Sequence, residues 1–187
     1  MREYELKILD SLIDITPGNW DAMTEGNPTL CHAYLQSMID AGCTTAKSGW
    51  LPQFLTLWRD IDGQQTLCGA VPLYVKSHSY GEYVFDWAWA EAYQRHGLAY
   101  YPKLLAAVPF TPCSGGRLLA KTSADKKILV DGLINLAGQS EVSSLHVLFP
   151  NAEDHQLLTN AGMMLRTSIQ FHWQNAGYSG FDDFLAT

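Results

Sequence analysis

The side chains best suited to chemistry lie between Ser79 and Arg117, in the stretch SYGEYVFDWAWAEAYQRHGLAYYPKLLAAVPFTPCSGGR. Glu82 and Asp86 stand four residues apart, interleaved with Tyr80, Tyr83, Phe85 and Trp87. A carboxylate drawn out of water by aromatic neighbours has its pKa raised toward the range a general base needs. The pair is therefore a candidate base for an amine nucleophile. The alternative is structural, with Asp86 capping a helix and Glu82 solvated in a loop. His96 closes the block and could shuttle a proton near neutral pH. Tyr80, Trp87, Tyr93, Tyr100 and Tyr101 offer ring faces and hydroxyls to a small-molecule cleft, although buried rings more often simply pack.

A second candidate follows an apolar run. In Thr111-Pro-Cys-Ser-Gly-Gly-Arg, the main chain of Ser114, Gly115 and Gly116 could approach a phosphate, with Arg117 adding charge. The loop matches neither the P-loop nor the dinucleotide fingerprint. It sits in a window, Arg95 to Lys127, that carries six basic residues and one acid within a chain of net charge −7. Such asymmetry points to a local anion site rather than a basic surface. Cys113 has no neighbouring base to make it a nucleophile.

The elements that must position these groups can be read from turn and period signals. Strands are expected at residues 3–9, 52–59, 66–76, 83–86, 104–110, 142–149 and 163–173, with Asp62-Gly63 turning a hairpin. Helices are expected from Pro17 to Met23, Thr29 to Ala41, Trp87 to His96 behind an Asp86 cap, from a Ser123 cap to Ala137 before Gly138, and Glu153 to Asn160. A further helix is expected to start near Ser179 or Asp182. The fold class is α+β, one mixed, mostly antiparallel sheet with helices on both faces.

Length and composition bound the rest. A chain of 187 residues, 47% hydrophobic and 17% charged, reads as one globular domain. Its acidity argues against broad nucleic-acid binding and leaves room only for a local contact such as tRNA. Cys31, Cys43, Cys68 and Cys113 lack metal-ligand spacing and read as reduced thiols, so no metal is expected. The charged N-terminus carries no signal peptide pattern, and no run approaches the roughly 18 apolar residues of a span. A cytoplasmic protein is expected.

Residues 72–112, PLYVKSHSYGEYVFDWAWAEAYQRHGLAYYPKLLAAVPFTP, closely resemble a bacterial Fem-like family of N-acyltransferases linked to peptidoglycan biosynthesis or recognition. The likeness extends more weakly to FHWQNAGYSGFDDFLA near the C-terminus. Residues matching the family pattern are Tyr80, Gly81, Glu82, Asp86, Trp87, Trp89, Tyr93, His96, Gly97, Tyr100, Tyr101, Lys103 and Arg117. The resemblance implies a GNAT-like sheet with two splayed strands, residues 1–187 forming one such domain and serving as the N-terminal half of a two-domain protein. It implies acyl or aminoacyl transfer to an amine, without a tightly bound cofactor, from acyl-CoA as co-substrate or from aminoacyl-tRNA. A small molecule or peptidoglycan precursor and the second domain would be the partners. The chain departs from the GNAT pattern where Leu118–Thr122 separate the glycine loop from the next helix. The rival reading is a non-catalytic module that binds cell-wall glycan or peptide, or a half-site completed by the second domain.

Overall fold

The Asp62-Gly63 turn makes the hairpin that organises the protein. A computed structural model describes residues 4–186. Asp62 and Gly63 both take positive φ (54° and 81°), the geometry of a tight two-residue hairpin, and join β3 (Phe54–Ile61) to β4 (Gln64–Val71). Ahead of β3 runs β2 (Trp50–Pro52), and β5 (Leu73–Lys76) follows β4. Pro72 has no N–H for the ladder, so the run expected as one strand at 66–76 breaks there. Across from it Gln53 interrupts the partner strand, its N–H donating to the Leu73 carbonyl at 2.8 Å. The long hairpin thereby crosses from one sheet into another.

This is why the single central sheet expected from sequence is two four-stranded sheets. The first has the order β1-β3-β4-β7, all antiparallel, with β1 at Glu5–Leu9 and β7 at Leu119–Ala120. The second has the order β2-β5-β6-β8, with β6 at Lys103–Ala106 and β8 at Leu145–Val147. Only β6–β8 is parallel. A parallel bridge, Gly115 with Pro150, joins the segment before β7 to the one after β8.

Neighbours along β3 point to opposite faces, as pleating requires. Phe54 packs with Trp20, Leu35, Trp50 and Tyr74, beneath α1 (Pro17–Asp21) and α2 (His32–Asp40). Leu55 packs with Leu57, Leu129, Leu133 and Leu158, beneath α4 (Ser123–Gln139) and α5 (Ala152–Asn160). Two further helices are α3 (Trp87–Arg95) and α6 (Phe181–Leu185). The architecture is mixed α+β, and no described helix is long and apolar enough to cross a membrane.

Several local expectations are corrected. Thr122, not Ser123, caps α4 by accepting the Asp125 N–H, and the helix runs through Gly138 to Gln139. Residues 83–86 bend rather than extend, with Tyr83 at φ 59°. Residues 163–173 form no strand. Among the described residues, no main-chain hydrogen bond joins 164–173 to another main-chain group, and Phe171 is 99% exposed. The alternation is there, but the strand that would pair with it is not.

Candidate functional site

Register alone creates an electrostatic problem. In the β5–β6 pair Lys76 stands opposite Lys103, and both side chains are fully buried. Like charges facing each other across a ladder are destabilising, and buried ones more so without partners. The loop after β5 supplies them. It turns at Gly81 (φ 79°), where any Cβ would fall 2.5 Å from the Phe110 ring. That turn swings Glu82 and Asp86 inward.

Lys103 Nζ donates to Glu82 Oε2 (2.8 Å), Asp86 Oδ2 (2.5 Å) and Ser79 Oγ (3.0 Å), which uses all three ammonium protons. Lys76 Nζ donates to the Tyr80 carbonyl (3.2 Å), lies 3.7 Å over the Trp50 ring and is 4.0 Å from Glu82 Oε1. Glu82 Oε1 has no hydrogen-bond partner among the described residues. Asp86 also accepts from the Tyr100 hydroxyl (2.9 Å) and, at Oδ1, from Arg166 Nη1 (3.1 Å). Tyr100 Oη lies 3.5 Å from His146 Nε2, which is 2.8 Å from Ser144 Oγ.

Burial sets the proton affinities. Desolvation pulls Lys76 down to about 7, against the opposing pull of Glu82. It raises Glu82, with Lys103 only partly offsetting it. For Asp86 desolvation acts upward too, but the Lys103 bond and charge and the Tyr100 hydrogen bond outweigh it and hold Asp86 below its ordinary value. Burial and then Lys103 bring His146 down to about 4, so its imidazole is neutral at pH 7.

The network opens on a cavity of about 710 Å³. Its walls come from Tyr83–Phe85, from β8 and its exit, from α5, and from the unpaired segment 163–172. His146 and Arg166 belong both to the network and to the cavity wall. A family model described as FemAB-like, peptidoglycan biosynthesis/recognition, matches residues 11–187. The chain belongs to the FemAB-like family. No curated protein and no solved structure matches it.

Of the FemAB-like residues singled out from sequence, the fold brings Glu82, Asp86, Tyr100 and Tyr101 together. Tyr101 joins through its hydroxyl, 2.8 Å from Ser79 Oγ. Tyr93 packs edge-on against Tyr100, at 5.2 Å between centroids. Asp86 occupies the cap position of α3, yet its side chain makes no capping bond because Lys103 holds it. Tyr80 and Trp87 pair with each other on the surface, at 5.6 Å. His96 ends α3, exposed and outside the network.

The glycine loop is used internally. Arg117 is fully buried and donates to the carbonyls of Leu148 (2.9 Å), Gly116 (3.1 Å) and Cys113 (2.6 Å). Of the main-chain groups expected to meet a phosphate, the Gly115 N–H donates to the Phe149 carbonyl (3.1 Å), and the next N–H groups along, of Arg117 and Leu118, donate to Asp154 Oδ2 at 2.5 and 3.0 Å. Gly115 forms the bridge to Pro150, and Gly116 lies beside the Asn151 and Asp154 side chains. Ser114 alone reaches the cavity. The anion this loop binds is the protein's own carboxylate.

Sequence reading missed Lys76, His146 and Arg166 in the FemAB-like site. A lysine ending the apolar run LYVK was a usable signal. His146 and Arg166 had none, lying 46 and 80 residues from their partners Tyr100 and Asp86. Among the described residues no group of three or more His, Cys, Asp or Glu is arranged to hold a metal ion.

Proposed function

We propose that this FemAB-like protein transfers an acyl or aminoacyl group to an amine of a peptidoglycan-related substrate. The observation that carries this reading is the line of titratable groups running from Lys76 through Glu82, Lys103, Asp86 and Tyr100 to His146 at the cavity wall. In such a transfer the amine nitrogen attacks the carbonyl carbon of an ester or thioester donor. The new C–N bond forms, the bond to the leaving oxygen or sulfur breaks, and one nitrogen proton must leave. Once attack begins, that nitrogen becomes far more acidic, so a neutral imidazole of low pKa is a competent acceptor. Asp86, through Tyr100, stabilises the imidazolium that results, and the proton then passes to the leaving group.

Glu82 and Asp86 thus act behind His146 rather than on the substrate. The GNAT-like part of the reading is supported by the antiparallel order β1-β3-β4-β7, followed by α4 and then by β8. Acyl-CoA and aminoacyl-tRNA both remain donors in this proposal, with their phosphates bound elsewhere than Arg117.

The test is single-turnover acylation of a stem-peptide amine, with acetyl-CoA and with aminoacyl-tRNA, by wild type and His146→Gln. Loss of about 10²–10⁴-fold in rate, at unchanged acceptor affinity, is the expected result for a general base. Undiminished transfer by the variant would overturn the mechanism.

A second reading rests on a separate observation. Tyr80, Phe85, Trp87 and Trp89 present exposed rings around the start of α3. Such rings stack on sugar faces, so a non-catalytic glycan-binding module follows if Trp87→Ala abolishes glycan binding and no donor supports transfer.

A further inference from the structure

The chain holds 19 acidic residues, yet the cavity wall contains no Asp or Glu. The ionisable groups that line it are Tyr83, Arg166, His146, His155 and His172. In a protein of net charge −7, a wall with a cation, three imidazoles and no carboxylate excludes cations and favours anions.

Arg166 is held in a way that leaves it available. Its Nη1 donates to Asp86 Oδ1, while Nε and Nη2 have no partner among the described residues, and the side chain is 50% exposed. Asp86 already serves Lys103 and Tyr100 through its other oxygen, so it compensates Arg166 only in part. Lys103 is shared between Asp86 and Glu82, so Asp86 is not reserved for Arg166. A guanidinium with a free edge is suited to bidentate pairing with a carboxylate or phosphate. His155 also contributes to the wall, its buried Nε2 lacking a hydrogen-bond partner among the described residues. The remaining wall is largely apolar, including Val84, Leu145, Val147, Met163, Met164 and Ile169.

We infer that the cavity binds a ligand with an apolar body and an anionic head, a carboxylate or a phosphate, the head lying on Arg166. This deepens the transfer reading by naming the chemical class the cavity takes, and it is tested by binding alone, without donor or turnover.

Octanoate, octyl phosphate, octanol and octylamine share one apolar body and differ in the head. Calorimetric titration gives the affinities, and the methyl NMR signals of Met163 and Met164 report the location. Both anions, or one of them, are expected to bind at least about tenfold tighter than octanol and octylamine, shifting those methyls. A preference for octyl phosphate assigns a phosphate head, and one for octanoate a carboxylate. Arg166→Gln should remove the preference, and Arg166→Lys should keep part of it. Circular dichroism of both variants checks that they fold. Equal binding of octanol, anion binding that leaves the methyls unshifted, or a preference that survives Arg166→Gln would each overturn the inference. Failure of acyl transfer would leave it standing, because no step of the reaction enters the measurement.

Discussion

At the scale of residues, Lys103 decides the site. It compensates two buried carboxylates at once, and removing it leaves Glu82 with only Lys76 at 4.0 Å and Asp86 with Arg166 and Tyr100. Lys103→Met is expected to cost about 3–5 kcal/mol of unfolding free energy in urea titration. Adding Glu82→Gln to that variant should return part of the loss, since the second change removes a stranded charge. A cost below about 1 kcal/mol for the single variant would mean that the network is not charged as described. His146 gives a pH signature. Its folded pKa of about 4 lies below the unfolded value near 6.5, so between them the unfolded chain binds more protons. The stability this residue contributes is complete above about pH 6.5 and is lost as pH falls toward 4. Thermal melts across that window should show a steeper decline for wild type than for His146→Gln.

At the scale of elements, helix α4 carries two glycines that differ in surroundings. A Cβ at Gly138 would meet nothing within 4 Å, whereas one at Gly132 would lie 2.8 Å from Leu6 Cδ1 and 3.2 Å from Leu55 Cδ2. Gly138→Ala should therefore raise stability by about 0.5 kcal/mol, from helix propensity. Gly132→Ala should gain nothing or lose, since the close fit of helix on sheet absorbs the propensity gain. Chemical denaturation of the two variants side by side checks the contrast. The same helix shows what a sequence can and cannot say. Its existence was legible from composition, and the Asp62-Gly63 hairpin was legible because turn chemistry is local. The alternation of residues 163–173 was legible as a pattern, but a strand also needs a neighbour, which pattern does not supply. Glu82 and Asp86 stood out beside their aromatic residues. Their partners did not, because Lys76 faces Lys103 only through the register of β5 on β6, and Arg166 reaches Asp86 only through the fold.

At the scale of the whole molecule, the acidic chain keeps its acids away from one cavity and buries two of them behind its wall. The sheets on which that wall depends share one hairpin, crossing at Gln53 and Pro72. Neither sheet can lose that hairpin and keep its own ladder. Opening should therefore be cooperative, with no partly unfolded form in which one sheet survives alone. Native-state hydrogen exchange would read this directly: amides of β3 in one sheet and of β5 in the other should converge on a single opening free energy as denaturant rises. Two separate plateaus would mean that Pro72 acts as a joint between independent halves rather than as a bend in one continuous spine.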